Sequence, residues 1–410
     1  KAKFGIFGDG KEIAQIAMAK SFAPGDFRSG YYRDQTFMFA SGMSNVQNFF
    51  AQLYANPDVQ EEPSSAGRQM NGHYATRLLD EQGEWNNLTA SKNCSSDISP
   101  TAGQMVRGLG LAFASKLFRN QESLKHLSQF SNNGNEVCFT TIGDASTSEG
   151  LFWETVNAAT VLKVPLAIFC WDDGYGISVP RKFQTSKNSI SDALAGFQYD
   201  EKKGGLEIYT VKGWDYASLC ETFKEGIEKV RKNHIPALFH VQEITQPQGH
   251  STSGSHERYK SKERLDWEKE MDCIKKMREF LLENAIATES ELDVIEAKCK
   301  SDVQDAKKNA WTQFSNPIKK QIEETLAFCN ALINEGNPYS DQIRGLVQEL
   351  SAIREPLRRD VMKCLAKVML YTQDTTAAQQ LKSYYQHLKE DAYDKYSSVL
   401  HSVSKYQIGK

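Results

Sequence analysis

Residues Glu136–Tyr175 read EVCFTTIGDASTSEGLFWETVNAATVLKVPLAIFCWDDGY. Val137 to Ile142 is short, apolar and β-branched, and Gly143 stops it, which predicts a buried strand. Ser146-Thr147-Ser148-Glu149 has the form of a capping box opening a helix that carries Phe152, Val156, Ala159 and Leu162. Pro165 ends the helical pattern, and Leu166 to Cys170 supplies a second apolar strand. Strand, helix and strand form a β-α-β unit, so the two strands run parallel with a right-handed crossover.

That topology places Asp144 and the pair Asp172-Asp173 at the carboxyl ends of neighbouring strands, where open α/β sheets bind ligands. Carboxylates converging there repel unless a cation lies between them. A single aspartate would be read as a cap or a turn residue. Two acidic turns after two buried strands favour a hard-metal site.

The remaining composition excludes several classes. The 410 residues carry a net charge of −3 and a pI near 6.3, with no basic stripe interleaved with aromatics, so nucleic acid is an unlikely ligand. Apolar runs such as Val164 to Cys170 fall short of a membrane span; no signal-peptide pattern is read at the start, and Lys1 without a methionine is read as a beginning from which residues are missing. Eight scattered cysteines without a C-x-x-C read as reduced core residues of a cytoplasmic protein. No G-x-G-x-x-G follows a strand, no His or Cys pair has zinc spacing, and no G-x-S-x-G elbow occurs.

Outward from the central unit, Gly5 to Glu12 nearly matches a phosphate loop, but Glu12 stands where a hydroxyl is required. Residues 12–20 read as a helix, and Asp26 to Asp34 as a polar aromatic turn before a long helical pattern reaching Tyr54. Arg33 in that turn has the fork that grips phosphate. Asn56 to Ser99 is irregular but holds Met, Tyr, His and Trp, the composition of a binding loop rather than a disordered one. Ser99 to Gln104 leads into a helix with small residues. After Tyr175, strand Leu206 to Val211, helix 215–232 and strand Ala237 to Glu243 continue the alternation, and the loop 246–256 brings His250 to the acidic end. The expected fold is α/β, a parallel sheet flanked by helices over 1–270, followed by a charged helical extension over 271–410. In that extension Leu346, Leu350, Ile353, Leu357, Val361, Leu365 and Met369 recur at helical spacing.

These motifs together resemble the alpha subunit of the thiamine-diphosphate-dependent decarboxylase component of 2-oxo acid dehydrogenase complexes, over roughly residues 5 to 310. Gly143-Asp144-Ala145 and Asp172-Asp173-Gly174-Tyr175 stand for that family's metal-binding turns. The resemblance implies a thiamine-diphosphate-binding fold in which Asp144, Asp173 and the backbone carbonyl of Tyr175 ligate magnesium. Tyr32-Arg33-Asp34 is similar to the turn that holds the diphosphate through its Tyr and Arg. Ser99-Pro100-Thr101 resembles the segment that meets the aminopyrimidine ring and, in some members, a potassium ion. His250-Ser251-Thr252-Ser253 resembles the loop carrying the active-site histidine, and Gly10-Lys11-Glu12 sits where the family has Gly-Gln-Glu. The cofactor-binding set is thus Tyr32, Arg33, Ser99, Thr101, Gly143, Ala145, Asp144, Asp173 and His250, with His250 catalytic.

Departures also stand out. Asp173 replaces an asparagine, and Trp171 and Gln246 occupy positions where relatives often carry arginines, which leaves Arg68 or Arg77 to neutralise the diphosphate or else describes a cofactor-free homologue. The resemblance implies decarboxylation of a 2-oxo acid with acyl transfer to a lipoyl-bearing acyltransferase. The required glutamate comes from a beta subunit or fused beta-like half, to which 316–410 would be a linker. Gly67 to Met70, His73-Tyr74 and the His-Ser-Thr-Ser form look more like branched-chain members than pyruvate or acetoin members.

Overall fold

The computed structural model describes residues 5–69, 72–252 and 254–397. Helix α1 (Glu12–Lys20) comes first, then strand β1 (Phe27–Ser29), α2 (Gln35–Ala40), α3 (Val46–Leu53), β2 (Asn93–Cys94) and α4 (Gly103–Asn120). The unit read first from sequence follows as β3 (Cys138–Gly143), α5 (Gly150–Leu162) and β4 (Leu166–Trp171). A small hairpin, β5 (Tyr175–Gly176) with β6 (Val179–Pro180), precedes α6 (Ile190–Ala193), β7 (Glu207–Lys212), α7 (Tyr216–Asn233) and β8 (Ala237–Gln242). The six-stranded sheet has the order β2-β1-β3-β4-β8-β7, and every pair is parallel.

Parallel strands covered on both faces read as near-continuous apolar runs. β4 satisfies this by alternation. Ala167, Phe169 and Trp171 join one core, with α1 and α7, while Leu166, Ile168 and Cys170 join the other, with α4 and α5. Phe169 anchors the first core, its ring stacked on Phe139 at 5.6 Å and on Phe239 at 4.7 Å, with Phe223 edge-on at 5.0 Å. Tyr209 stacks on Phe239 at 5.1 Å, which extends the row across β3, β4, β8 and β7.

Local details differ from the sequence reading. No capping box forms at Ser146–Glu149: Ala145–Ser148 winds into a 3-10 turn, and Glu149 is the cap residue of α5 with no side-chain cap bond. The pattern after Asp34 breaks into α2 and α3, the second capped by the Asn45 side chain. The turn at Asp26–Asp34 contains β1, a central strand that its polar sequence concealed.

Beyond the sheet come α8 (Lys262–Glu270), α9 (Cys273–Glu283) and α10 (Glu289–Asn334), the last opened by a true capping box at Thr288 and Glu291 and running on through Pro317. Three helices then pack on the end of α10: α11 (Ser340–Ser351), α12 (Arg358–Val368) and α13 (Thr376–Tyr396). The apolar series 346–369 is not one face. Helix α11 ends at Ser351, and the connection to α12, which contains Pro356, leaves Ile353 and Leu357 exposed. Arg68 and Arg77 are both exposed.

Two outcomes follow. Phe169→Ala empties the centre of the aromatic row and should cost about 3–5 kcal/mol in urea unfolding followed by circular dichroism; a loss under 1 kcal/mol would contradict the packing described. His234, 6 % exposed at the end of α7, bonds the Gly134 carbonyl at 2.9 Å, and burial pushes its ring down to about 4. The unfolded ring takes up a proton near pH 6.5 and the folded ring only near 4, so stability is lost as pH falls through that window. His234→Gln should remove about 1–2 kcal/mol of that acid sensitivity, read from thermal midpoints between pH 7 and 4.

Candidate active site

The register of β3 with β4 sets Gly143 opposite Trp171, so Asp144 and Asp172 leave the sheet side by side. A cleft of about 370 Å³ opens at this edge. It is lined by Tyr32, Arg33, Thr101, Gly143, Asp144, Ala145, Asp173, Tyr175 and His250, all of them sequence candidates. Ser99 is the exception: it is exposed, outside the lining, and its hydroxyl bonds His73 Nε2 at 3.0 Å.

The three aspartates have different fates. Asp172 is held from three sides, by His240 Nε2 at 2.8 Å, the Gly174 N–H at 3.0 Å and an ion pair with Arg181. Burial raises its carboxyl, but the His240 and Arg181 contacts outweigh that and hold it below the ordinary value. It is structural, fixing the turn in which Gly174 adopts φ +81°. Asp144 is buried and its Oδ2 has no hydrogen-bond partner. Burial, then the charges of Asp173 and Asp172, push its carboxyl well above the usual range. Asp173 spends Oδ1 on the Tyr175 N–H at 3.1 Å and directs Oδ2 toward Lys11 at 3.4 Å.

An orphaned carboxylate oxygen beside a second carboxylate is the donor set of a hard cation. Among the described residues no group of three or more His, Cys, Asp or Glu side chains could hold a metal. An ion between Asp144 and Asp173 therefore needs oxygen ligands beyond these carboxylates, which a backbone carbonyl and a bound phosphate supply. The residues present fit such an ion.

The opposite wall is cationic. Arg33 donates from Nη1 to the Phe7 carbonyl at 2.7 Å and from Nη2 to the His250 carbonyl at 2.8 Å and to His250 Nδ1 at 3.1 Å. A guanidinium only donates, so Nδ1 accepts and neutral His250 carries its proton on Nε2. Burial, then Arg33, lower the His250 ring, with Asp173 opposing. Lys260 also lines the cleft, tied to the Gln246 carbonyl at 3.0 Å and to Glu268 at 2.8 Å. Lys260 was not foreseen, for it opens the charged helical sequence and carries no motif. Lys11 was visible only as part of a failed phosphate loop and of the turn that resembles Gly-Gln-Glu, without a role assigned to it.

A doubly covered parallel sheet with paired carboxylates facing cations across its C-terminal edge defines an α/β protein with a ligand cleft at the carboxyl ends of its strands. The family model described as Dehydrogenase E1 component matches residues 1–319, and the chain belongs to that family. Its members are thiamine-diphosphate-dependent oxidoreductases acting on 2-oxo acids. The chain is 26% identical over 291 residues to the 2-oxoisovalerate dehydrogenase subunit alpha of Bacillus subtilis (70% of this chain, 76% of the relative). It is 27% identical over 317 residues to the mitochondrial 2-oxoisovalerate dehydrogenase subunit alpha of Caenorhabditis elegans (76% and 62%). With the pyruvate dehydrogenase E1 component subunit alpha of Rickettsia bellii it shares 30% over 207 residues (50% and 55%), so these last two relatives are covered over less than two thirds of their length.

Arg33→Met removes a positive charge from beside His250, so the ring should titrate at higher pH than in the native protein. Histidine proton shifts followed by NMR against pH check this; an unmoved midpoint would assign the depression to burial alone.

Proposed function

We propose that this chain is the alpha part of a two-part active site that oxidatively decarboxylates a branched-chain 2-oxo acid and passes the acyl group to a lipoyl-bearing acyltransferase. The observation carrying this reading is the orphaned Asp144 oxygen, set beside Asp173 in a cleft shared with Arg33 and His250. Asp144, Asp173 and the Tyr175 carbonyl would hold magnesium, and Tyr32 and Arg33 the diphosphate. Thiamine diphosphate, when bound, supplies the carbon nucleophile and the electron sink for decarboxylation.

The protein groups position and exclude. Arg33 makes three bonds to the protein and keeps two of its five N–H groups for an anion. His250 holds a proton at Nε2 that it can donate to a carboxylate or phosphate oxygen entering the cleft. Thr101 and residues 143–145 line the cleft and would face the cofactor's ring system. No glutamate is among the residues lining the cleft, which supports a glutamate arriving from a beta part, on a second chain or the same one. We take 1–270 as the cofactor domain and 271–410 as a helical extension, with α9 at the seam, where Cys273 and Met277 pack on the sheet core.

The branched-chain choice is supported by the two 2-oxoisovalerate relatives, aligned over 291 and 317 residues. The form of residues 67–74 and 250–253 also supports it, although Met70, Asn71 and Ser253 lie outside the described residues. Pyruvate is the second reading, favoured by 30% identity over 207 residues. No helix among the described residues is long and apolar enough to cross a membrane. The eight free cysteines support a reducing compartment, which we take to be the cytoplasm.

Reconstitution with a beta partner, thiamine diphosphate and magnesium should give turnover that the chain alone lacks, with 2-oxoisovalerate preferred over pyruvate by about tenfold or more. His250→Asn should lower kcat by about 10²–10⁴-fold. Absence of cofactor binding at every magnesium concentration would end the proposal, and a preference for pyruvate would end its branched-chain part.

A further inference from the structure

Lys11 is 1 % exposed and stands behind the cleft wall, outside the residues that line it. Its ammonium lies 2.6 Å from Gln246 Oε1 and 3.4 Å from Asp173 Oδ2. Gly10, at φ +83°, makes this approach possible: a Cβ there would meet the Thr245 carbonyl oxygen at 2.2 Å. Other cations nearby are committed elsewhere. Arg181 pairs with Asp172, Lys260 with Glu268, and Arg264 with Glu268 and the Asp173 carbonyl. Among the described residues Asp173 therefore has one side-chain cation, Lys11.

The same contacts cross the cleft. Gln246 accepts from Lys11 and donates from Nε2 to the Phe7 carbonyl at 3.3 Å, the oxygen that also receives Arg33 Nη1. A continuous chain of bonds thus runs from Asp173 through Lys11, Gln246 and Phe7 to Arg33 and His250. A buried ammonium pairs stably only while its counter-charge is present, and removing one member leaves the other uncompensated.

We propose that Lys11 is a positioning residue: its buried ammonium neutralises Asp173 and fixes Gln246, so that a magnesium diphosphate can be held without surplus negative charge. The proposal rests on the cofactor reading above. Because the charge is set by a lysine-carboxylate pair, removing both charges should be milder than removing one.

The test uses the full chain assembled with its beta partner, in native form and as Lys11→Gln, Asp173→Asn and the double variant. Thiamine diphosphate with magnesium is titrated by calorimetry, and thermal unfolding is measured separately without either. Lys11→Gln should weaken binding by about tenfold or more and lower the unfolding midpoint by about 4 °C or more. The double variant, which also lacks a proposed metal ligand, is read by unfolding alone and should regain at least half of the lost midpoint, so that the cycle is non-additive. A Lys11→Gln protein that binds and melts as native overturns the proposal. So does a double variant no better than the single one, including the case where neither folds. If the native assembly fails to bind the cofactor, the functional reading falls alone, and the unfolding cycle still decides whether Lys11 and Asp173 act as a pair.

Discussion

One buried guanidinium organises the ground beneath the cleft. Arg28 on β1 is fully covered and spends its donors on Asp34, through Nε at 2.9 Å and Nη2 at 2.6 Å, on Asp97 at 2.8 Å and on the Tyr31 carbonyl at 2.8 Å. An isolated charge in that position would cost several kcal/mol, so each partner is bound to keep its place. Asp34 in turn takes the Thr141 hydroxyl from β3 and, at 3.4 Å, the Trp171 indole from β4. Asp97 takes the Tyr74 N–H at 3.0 Å. The turn that presents Tyr32 and Arg33 is thereby tied to both acid-bearing strands and to the long irregular segment. Burial drives the Asp97 carboxyl up to about 6 against the pull of Arg28.

Above that layer the cleft separates its charges by role. Asp172 is used up in holding its own turn, and His240 passes the constraint to Ser191 at 2.9 Å. Asp144 alone keeps an unpaired oxygen, and so is the acid with something left to bind. Trp171 fills the floor with an indole bonded to Asp34, while the cation beside Asp173 is Lys11, from a separate element.

Much of this was legible because it follows from periodicity and from paired signals. The run 136–175 gave two buried strands, a crossover helix and two acidic turns, and the structure has all of them. β1 was hidden because Arg28 and Ser29 are polar, and only three-dimensional pairing with Asp34, Asp97 and Gln104 makes them interior residues. The capping box at 146–149 failed because a 3-10 turn used those residues first, and the 346–369 series failed because α11 ends at Ser351 and a new helix starts at Arg358. Arg68 and Arg77 were chosen by charge alone, whereas the cation that serves Asp173 comes from a turn 162 residues away, a separation no local pattern reports.

The bonds that close the cleft are among the longest in sequence. Gly5 meets Thr252 across 247 positions, Lys11 meets Gln246 across 235, and Arg33 meets His250 across 217. Closing such loops is entropically slow, and contacts of this span form after the local β-α-β units have assembled. The cleft is thus completed late in folding, once the chain beyond residue 250 has been made, and it is lost as soon as either end loosens. A ligand that bridges the two walls joins the most distant parts of the chain and so acts as a clasp on the whole sheet.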